Sequence, residues 1–405
     1  MNHLLRALAA LVALQLTAAS AQESEQADED TRDFDLPASE MSDMVGDGGL
    51  DLGDVDFEGS PLKRFAERWP KDLVIAPIPG RSPQLGWQLT LAAGYFLNSS
   101  DEHDEEDEAH PSIIGGFGMV SENGSYAYGG GAYLHLMDDK LRVKAGAAYA
   151  DLRYRFYGIG NPVNDLGISV DILQEMPLYF ASATYRVWRK FYVGLGYTSG
   201  TVNTKIEFVR DPVPDPNLVN PLGDLDIGAW MIPFEWDSRD HEQFPREGWK
   251  VDGRAMFYSD SAGADFNAET YKIAANYYHP MGERNVLASR VMMRWTKGDA
   301  PFFLKSTFGG STDLRGYPSG RFRDNMMYAV QTEYRWQATD RWIFTGFVGV
   351  GEVAKNFSGF GENYLPAAGV GARFVLSKKH RVGLSFDVAT GKTDTEYYFG
   401  VGEAF

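Results

Sequence analysis

The chain contains no cysteine, which excludes a disulfide scaffold and a lipid anchor carried on a thiol. Beyond residue 21, no window holds the roughly 18 to 20 uninterrupted apolar residues of a spanning helix, so a membrane crossing has to use strands. Histidine is scarce, seven in 405 residues. No serine–histidine arrangement, clustered metal ligands or phosphate loop stands out, which disfavours an enzyme, and no cofactor is expected. His135 falls within a strand, on the face assigned to lipid, and the other histidines of the mature chain fall at loops or turns. Bases are outnumbered, 38 Lys and Arg against 56 Asp and Glu, and a net charge of -18 disfavours nucleic acid as a partner.

The acid is segregated. Residues 22 to 60 hold 14 acids and one base, and DEHDEEDE at 101 to 108 holds seven more, so the remainder sums to about plus 2. Both acidic stretches are read as solvated, with a loose divalent-cation site at 101 to 108 as the alternative. Residues 1–21 combine Arg6, an apolar run and Ala19-Ser20-Ala21, the pattern of a cleaved secretory signal. Residues 22–59 have few aromatics and no apolar period and are expected to be disordered. Residues 60–71 open on Ser60-Pro61 and place Leu62, Phe65 and Trp69 on one face, which predicts a short amphipathic periplasmic helix.

From residue 72 to 405 the period is two, the pattern of strands in an all-β domain. Met327 to Trp336 puts Tyr328, Val330, Thr332, Tyr334 and Trp336 on one face, with Ala329, Gln331, Glu333 and Arg335 on the other. Fifteen such segments are recognisable, and Val74 to Arg81 supplies a short, proline-broken sixteenth. With 44 glycines, 14% aromatic residues and tryptophans clustered at strand ends, this predicts a transmembrane antiparallel outer-membrane β-barrel. Sixteen strands are expected, with twelve or fourteen if some segments are hairpin arms outside the membrane. Arg142, Lys144, Lys250, Arg254, Lys272, Arg290, Arg294 and Arg335, with Asp252, make a mostly basic inner wall, read as a hydrated lumen, with an anion-attracting pore as the alternative.

One connection, from about Gly298 to Met326, is too long for a hairpin turn. Its aromatics and arginines require it to pack inward. Within it, Gly309, Gly310 and the run Leu314, Arg315, Gly316, Tyr317 resemble the G-G…(V/L)-R-G-(F/Y) signature of the BamA, TamA and FhaC superfamily of outer-membrane barrels, the bacterial surface antigen family. Asp237 to Asp240 with Phe244 to Trp249, Phe156 to Asn161 and the closing Tyr398 to Phe405 resemble further marks of that family. The resemblance implies an extracellular loop folded into the lumen with Arg315 on acidic residues of the wall. Glu333 sits where the family has an acceptor. The family's second acid, in an F-x-D-x-G pattern, is replaced by Gly349, and Glu352 is the nearby candidate if a bulge turns it inward.

Relatives carry periplasmic POTRA modules, which residues 22–71 are not expected to build. The terminal strands, with Pro77, Pro79, Gly400, Gly402, an outward Glu403 and Phe405, are expected to meet in a weak lateral seam. The function implied is insertion or translocation of proteins or lipids at the outer membrane through lateral opening, after Sec-dependent export. A passive channel is the alternative, and a barrel-anchored enzyme the third reading. Expected partners are outer-membrane lipid, a client protein or lipid, and a homodimer or separate periplasmic partner.

Overall fold

The computed structural model describes residues 73–97, 112–160, 169–209, 223–241, 244–377, 382–392 and 394–405. The signal peptide, acidic segment and amphipathic helix expected over 1–71, and the acidic run 101–108, lie outside the described residues.

Sixteen strands close into an antiparallel barrel, so the twelve- and fourteen-stranded alternatives fall away. They are β1 (Leu73–Ser82), β2 (Gly86–Leu97), β3 (Ser112–Ser121), β4 (Tyr126–Leu136), β5 (Leu141–Phe156), β6 (Val170–Trp188), β7 (Phe191–Val209), β8 (Gly223–Asp237), β9 (Gly248–Tyr258), β10 (Ala268–Met281), β11 (Asn285–Gly298), β14 (Met326–Gln337), β15 (Trp342–Ala354), β16 (Leu365–Ser377), β17 (Val382–Thr390) and β18 (Thr395–Val401). Two-residue strands, β12 (Ser306–Thr307) and β13 (Arg323–Asp324), pair with each other inside the connection from β11 to β14. Sequential neighbours pair throughout, and the proline-broken β1 closes the ring between β2 and β18. Both barrel ends of the chain therefore fall at one rim, the periplasmic one in the expected orientation, and the long β11–β14 loop rises from the other.

Alternation sorts side chains between lipid and lumen. On β14, Tyr334 and Trp336 are exposed outward while Gln331, Glu333 and Arg335 are buried inward. Aromatics form outer belts near both rims: Trp249 packs on Tyr277 at 4.4 Å toward the periplasmic end, and Trp295 stacks on Tyr271 at 4.9 Å toward the other. Such rings, apolar in body and polar at one edge, suit the water–lipid boundary.

Two expectations about facing need correction. His135 lies directly opposite Arg142 in the unbroken β4–β5 register and shares its inward face, so it points into the lumen and not at lipid. The lumen itself is not polar along its whole height. Toward the extracellular rim the inner face becomes a buried apolar cluster that includes Leu152, Tyr154, Phe156, Ile172, Met176 and Ile227, because the loop packs there and excludes water.

Val348 stands 62% exposed on the outer face of β15. Val348→Arg is expected to weaken folding into vesicles by about 2–4 kcal/mol, the cost of a guanidinium near the bilayer midplane. Undiminished stability in a vesicle-folding titration would show that this face does not meet lipid.

Candidate functional site: the lumen loop and its anchors

The loop between β11 and β14 enters the barrel in two legs. In the first, Phe302 is buried and meets Phe156 edge-on at 4.9 Å, joining the apolar inner wall. The guanidinium of Arg323 lies near both rings and donates to the Phe302 carbonyl at 3.0 Å, while the Gly160 amide donates to the Arg323 carbonyl at 2.8 Å. The described part of the Phe156–Asn161 segment thus meets the loop.

The second leg carries the motif. Phe308, Tyr317 and Phe322 pack ring on ring, with centroids 5.5–6.0 Å apart. Asp313 knits the tip by accepting from the amides of Gly309 at 3.0 Å and Leu314 at 2.7 Å, and its own amide donates to the Gly310 carbonyl at 3.4 Å. Leu314 is fully buried against β15 where that strand has Gly349 and Gly351. A Cβ at either glycine would come within 2.7 or 2.9 Å of the Leu314 methyls, so the missing side chains form its seat. Gly316 has φ +104°, and a Cβ there would stand 2.9 Å from the Thr390 carbonyl carbon. Only glycine adopts this backbone at such close approach without strain.

Arg315 is fully buried. Its guanidinium donates to Glu333 Oε2 at 2.7 Å and to Asp387 Oδ2 at 2.6 Å, and it lies 3.4 Å from the centre of the Phe347 ring. The network extends further. Arg335 Nε donates to Glu333 Oε1 at 2.8 Å, Arg373 NH1 to Asp387 Oδ1 at 2.5 Å, and Arg373 Nε to Glu403 Oε2 at 3.0 Å. Three guanidiniums therefore meet three carboxylates, and charge balance with charge-assisted bonds makes burial tolerable.

Glu352, the other acid considered for Arg315, lies elsewhere. The β14–β15 register is unbroken, so no bulge turns Glu352 inward. It accepts instead from the amides of Gly361, Glu362 and Asn363 and from the Tyr328 hydroxyl, pinning the β15–β16 connection. The second acid on Arg315 is Asp387, from β17. It was legible only as the acid at an inward position of that strand, beside the outward Phe386.

The loop also grips the terminal strand. Tyr398 on β18 accepts from the Gly316 amide at 3.0 Å and donates to the Gly309 carbonyl at 3.1 Å. Tyr317 donates to the Pro366 carbonyl at 2.5 Å and accepts from the Lys392 amide at 3.0 Å. Beyond β18, Gly402 has φ +87° and turns the chain inward. Glu403 therefore joins the lumen network, contrary to the outward position expected of it, and the Phe405 carbonyl accepts from Arg335 at 2.9 Å. Gly400, by contrast, sits in regular pairing opposite Ser385.

Part of the chain matches a known superfamily. Residues 229–405 match its domain model. That superfamily is Omp85. The barrel is similar to solved Omp85-type structures: BamA from Haemophilus ducreyi lacking POTRA domains 1–3 (TM-score 0.57, 13% identity, covering 82% of this chain and 70% of that one) and CdiB from Escherichia coli (TM-score 0.56, 10% identity, 82% and 63%). CdiB from Acinetobacter baumannii is also similar (TM-score 0.51, 12% identity, 81% and 58%). The chain thus spans less than two thirds of either CdiB, and at these identities the likeness establishes a common fold. No curated protein matches the chain in sequence.

A smaller polar group lies at the periplasmic rim of the barrel. Burial alone would raise the pKa of Asp139, in the turn after β4, yet hydrogen bonds from Arg142, His135 and Tyr192 hold its carboxyl well below the usual range. Ser112 bonds the backbone of His135 through its hydroxyl, at 2.9 Å from the amide.

Arg315→Ala would leave three buried carboxylates facing two guanidiniums, a loss of about 3–5 kcal/mol. The heat-modification midpoint on semi-native gels should fall, and protease should cut within 299–325; an unchanged midpoint and cleavage pattern would refute the anchor. Arg315→Lys should recover only part of the loss, because a point charge cannot span two carboxylates as a planar fork does. The depressed Asp139 contributes stability that is present above its unfolded pKa of about 3.9 and is lost as pH falls through lower values. Asp139→Asn should accordingly flatten the acid limb of stability against pH.

Proposed function

We propose that this barrel inserts or translocates proteins or lipids at the outer membrane by parting sideways between β1 and β18, following Sec-dependent export. The observation that carries this reading is the seam. β1 and β18 share one bridge pair, Arg81 opposite Phe399, whereas β1 and β2 share ten pairs and β17 and β18 seven. Continued in register, the seam would set Pro79 opposite Val401 and Pro77 opposite Glu403. Proline has no amide hydrogen to give, and Gly402 has already turned the last residues inward. The periplasmic stretch of β1 is left as an edge, and edges recruit strands. Arg81 bridges the seam with a side-chain bond to the Tyr397 carbonyl at 3.1 Å.

An incoming strand of a client protein would find its backbone partners on β1. Outer-membrane lipid would face the parted wall. A second copy or a separate periplasmic protein is the partner that would deliver clients. The passive-channel reading draws support from the basic inner wall, while the buried Phe302, Leu314 and Tyr317 of the loop occupy the path it needs.

The cysteine-free chain suits a direct test. In vesicles carrying the Arg81→Cys, Phe399→Cys double variant, reduced protein should speed insertion of an unfolded outer-membrane barrel substrate, and oxidised protein should not. Equal rates with the seam locked and unlocked would sink lateral opening, and a large steady conductance in planar bilayers would favour the channel.

A further inference from the structure

Among the cations on the inner face of β9, β10 and β11, Arg294 touches the loop by donating to the Thr307 carbonyl at 3.3 Å, whereas Lys272 serves neither the loop anchor nor the seam. Lys272 stands directly opposite Arg254 on one side and directly opposite Arg294 on the other. Three positive side chains thus form one row across three adjacent strands, and like charges placed opposite each other oppose pairing. The charges acting on Lys272 are those of Arg254, Arg290 and Arg294, offset by Asp252. Lys272 itself makes no hydrogen bond or ion pair with a described residue. Nearby, the buried Arg290 donates to Asn276 at 2.6 Å, while its Nε has no hydrogen-bond partner. Asp313, whose Oδ1 accepts from the amides of Gly309 and Leu314, brings its Oδ2 to 3.9 Å from Arg294 and offsets part of that charge.

The row sits where the lumen changes character. A step toward the extracellular rim the inner face is apolar, with Tyr258 and Ala268 packed in the cluster that holds Phe302. Arg254, Lys272 and Arg294 retain partial exposure, so they form a hydrated roof beneath that seal. A concave cationic surface beside an apolar wall concentrates anions. The outer two strands of the row stand about 10 Å apart, within which three long side chains can converge on one multiply charged group. Guanidinium forks match phosphate oxygens in pairs, and the ammonium adds a point charge.

We propose that Arg254, Lys272 and Arg294 form a lumen binding site for a phosphate oxyanion, carried by a soluble phosphate compound or by a phosphorylated lipid headgroup. A single carboxylate offers less charge at the point where the three cations meet. A carboxylate-rich peptide, such as the chain's own segment 22–59, is the competing occupant.

The test uses the full chain folded in neutral detergent at low ionic strength, with inorganic pyrophosphate as probe. Calorimetry should show binding that chloride at matched ionic strength does not reproduce, and pyrophosphate should raise the heat-modification midpoint. Lys272→Gln should weaken pyrophosphate binding by about tenfold. Without pyrophosphate, Lys272→Gln should raise the midpoint, because a like charge has been removed; a merely structural lysine would lower it. Lys272→Met serves as the second variant. Competition by phosphatidic acid micelles, but not by phosphatidylcholine micelles, would assign the headgroup as the source, and pyrophosphate binding without that competition the soluble compound. Pyrophosphate binding no tighter than chloride, binding untouched by either variant, or binding that appears only after the acids of 22–59 are changed to amides would overturn the proposal.

Discussion

A guanidinium withdrawn from water has to be met by carboxylates, and that demand shapes this barrel from the inside. Arg315 reaches the wall on the end of a long loop and finds Glu333 and Asp387 already shared with Arg335 and Arg373. The network is balanced only when the loop is home. A buried pair of this kind is weak evidence of net stabilisation, yet losing one member is costly. It therefore selects one position for the loop more than it strengthens the fold. Because Glu403 and the Phe405 carbonyl belong to the same network, the loop, three wall strands and the end of the chain are held as one unit.

Shape completes what charge selects. Leu314 occupies space vacated by glycine on β15, Gly316 lets the loop backbone lie against Thr390, and Tyr398 bonds the loop on both sides of its tip. The loop is in effect an internal strut against β17 and β18. On the far side of β18 the wall is thin, with a single bridge to β1. Backbone pairing is thus sparser at this seam than between any other neighbouring barrel strands among the described residues.

The site also shows how one chemical requirement can be met from different strands. The family pattern places the second acid on the strand after the one bearing Glu333. Here that position is Gly349, which serves the apolar neighbour of the arginine, and the acid comes from β17 instead. Gly371 keeps the route clear: a Cβ there would fall 1.9 Å from the Asp387 carboxylate. Glu352 points to the outer face and pins an extracellular connection.

Period-two alternation, tryptophans near the rims and the absence of any helical span were enough to read a sixteen-stranded barrel, because lipid and water impose facing residue by residue along each strand. The loop motif was legible for a similar reason: aromatics and arginines in a long glycine-rich connection need an interior. What depends on residues distant in the chain was not legible. Asp387 lies 72 positions from Arg315, and only ring closure brings β17 to the loop. Glu403 read as outward because alternation was carried through Gly402, where the backbone in fact turns. His135 was misplaced because its face is set by its register with Arg142 and not by its own neighbours. The apolar seal and the cation row likewise belong to no single strand. Alternation settled fifteen of the strands and most of their facing, with the sixteenth supplied by the even count a barrel needs, whereas which charges meet was decided by register and closure, since those interactions reach across strands that the linear order keeps apart.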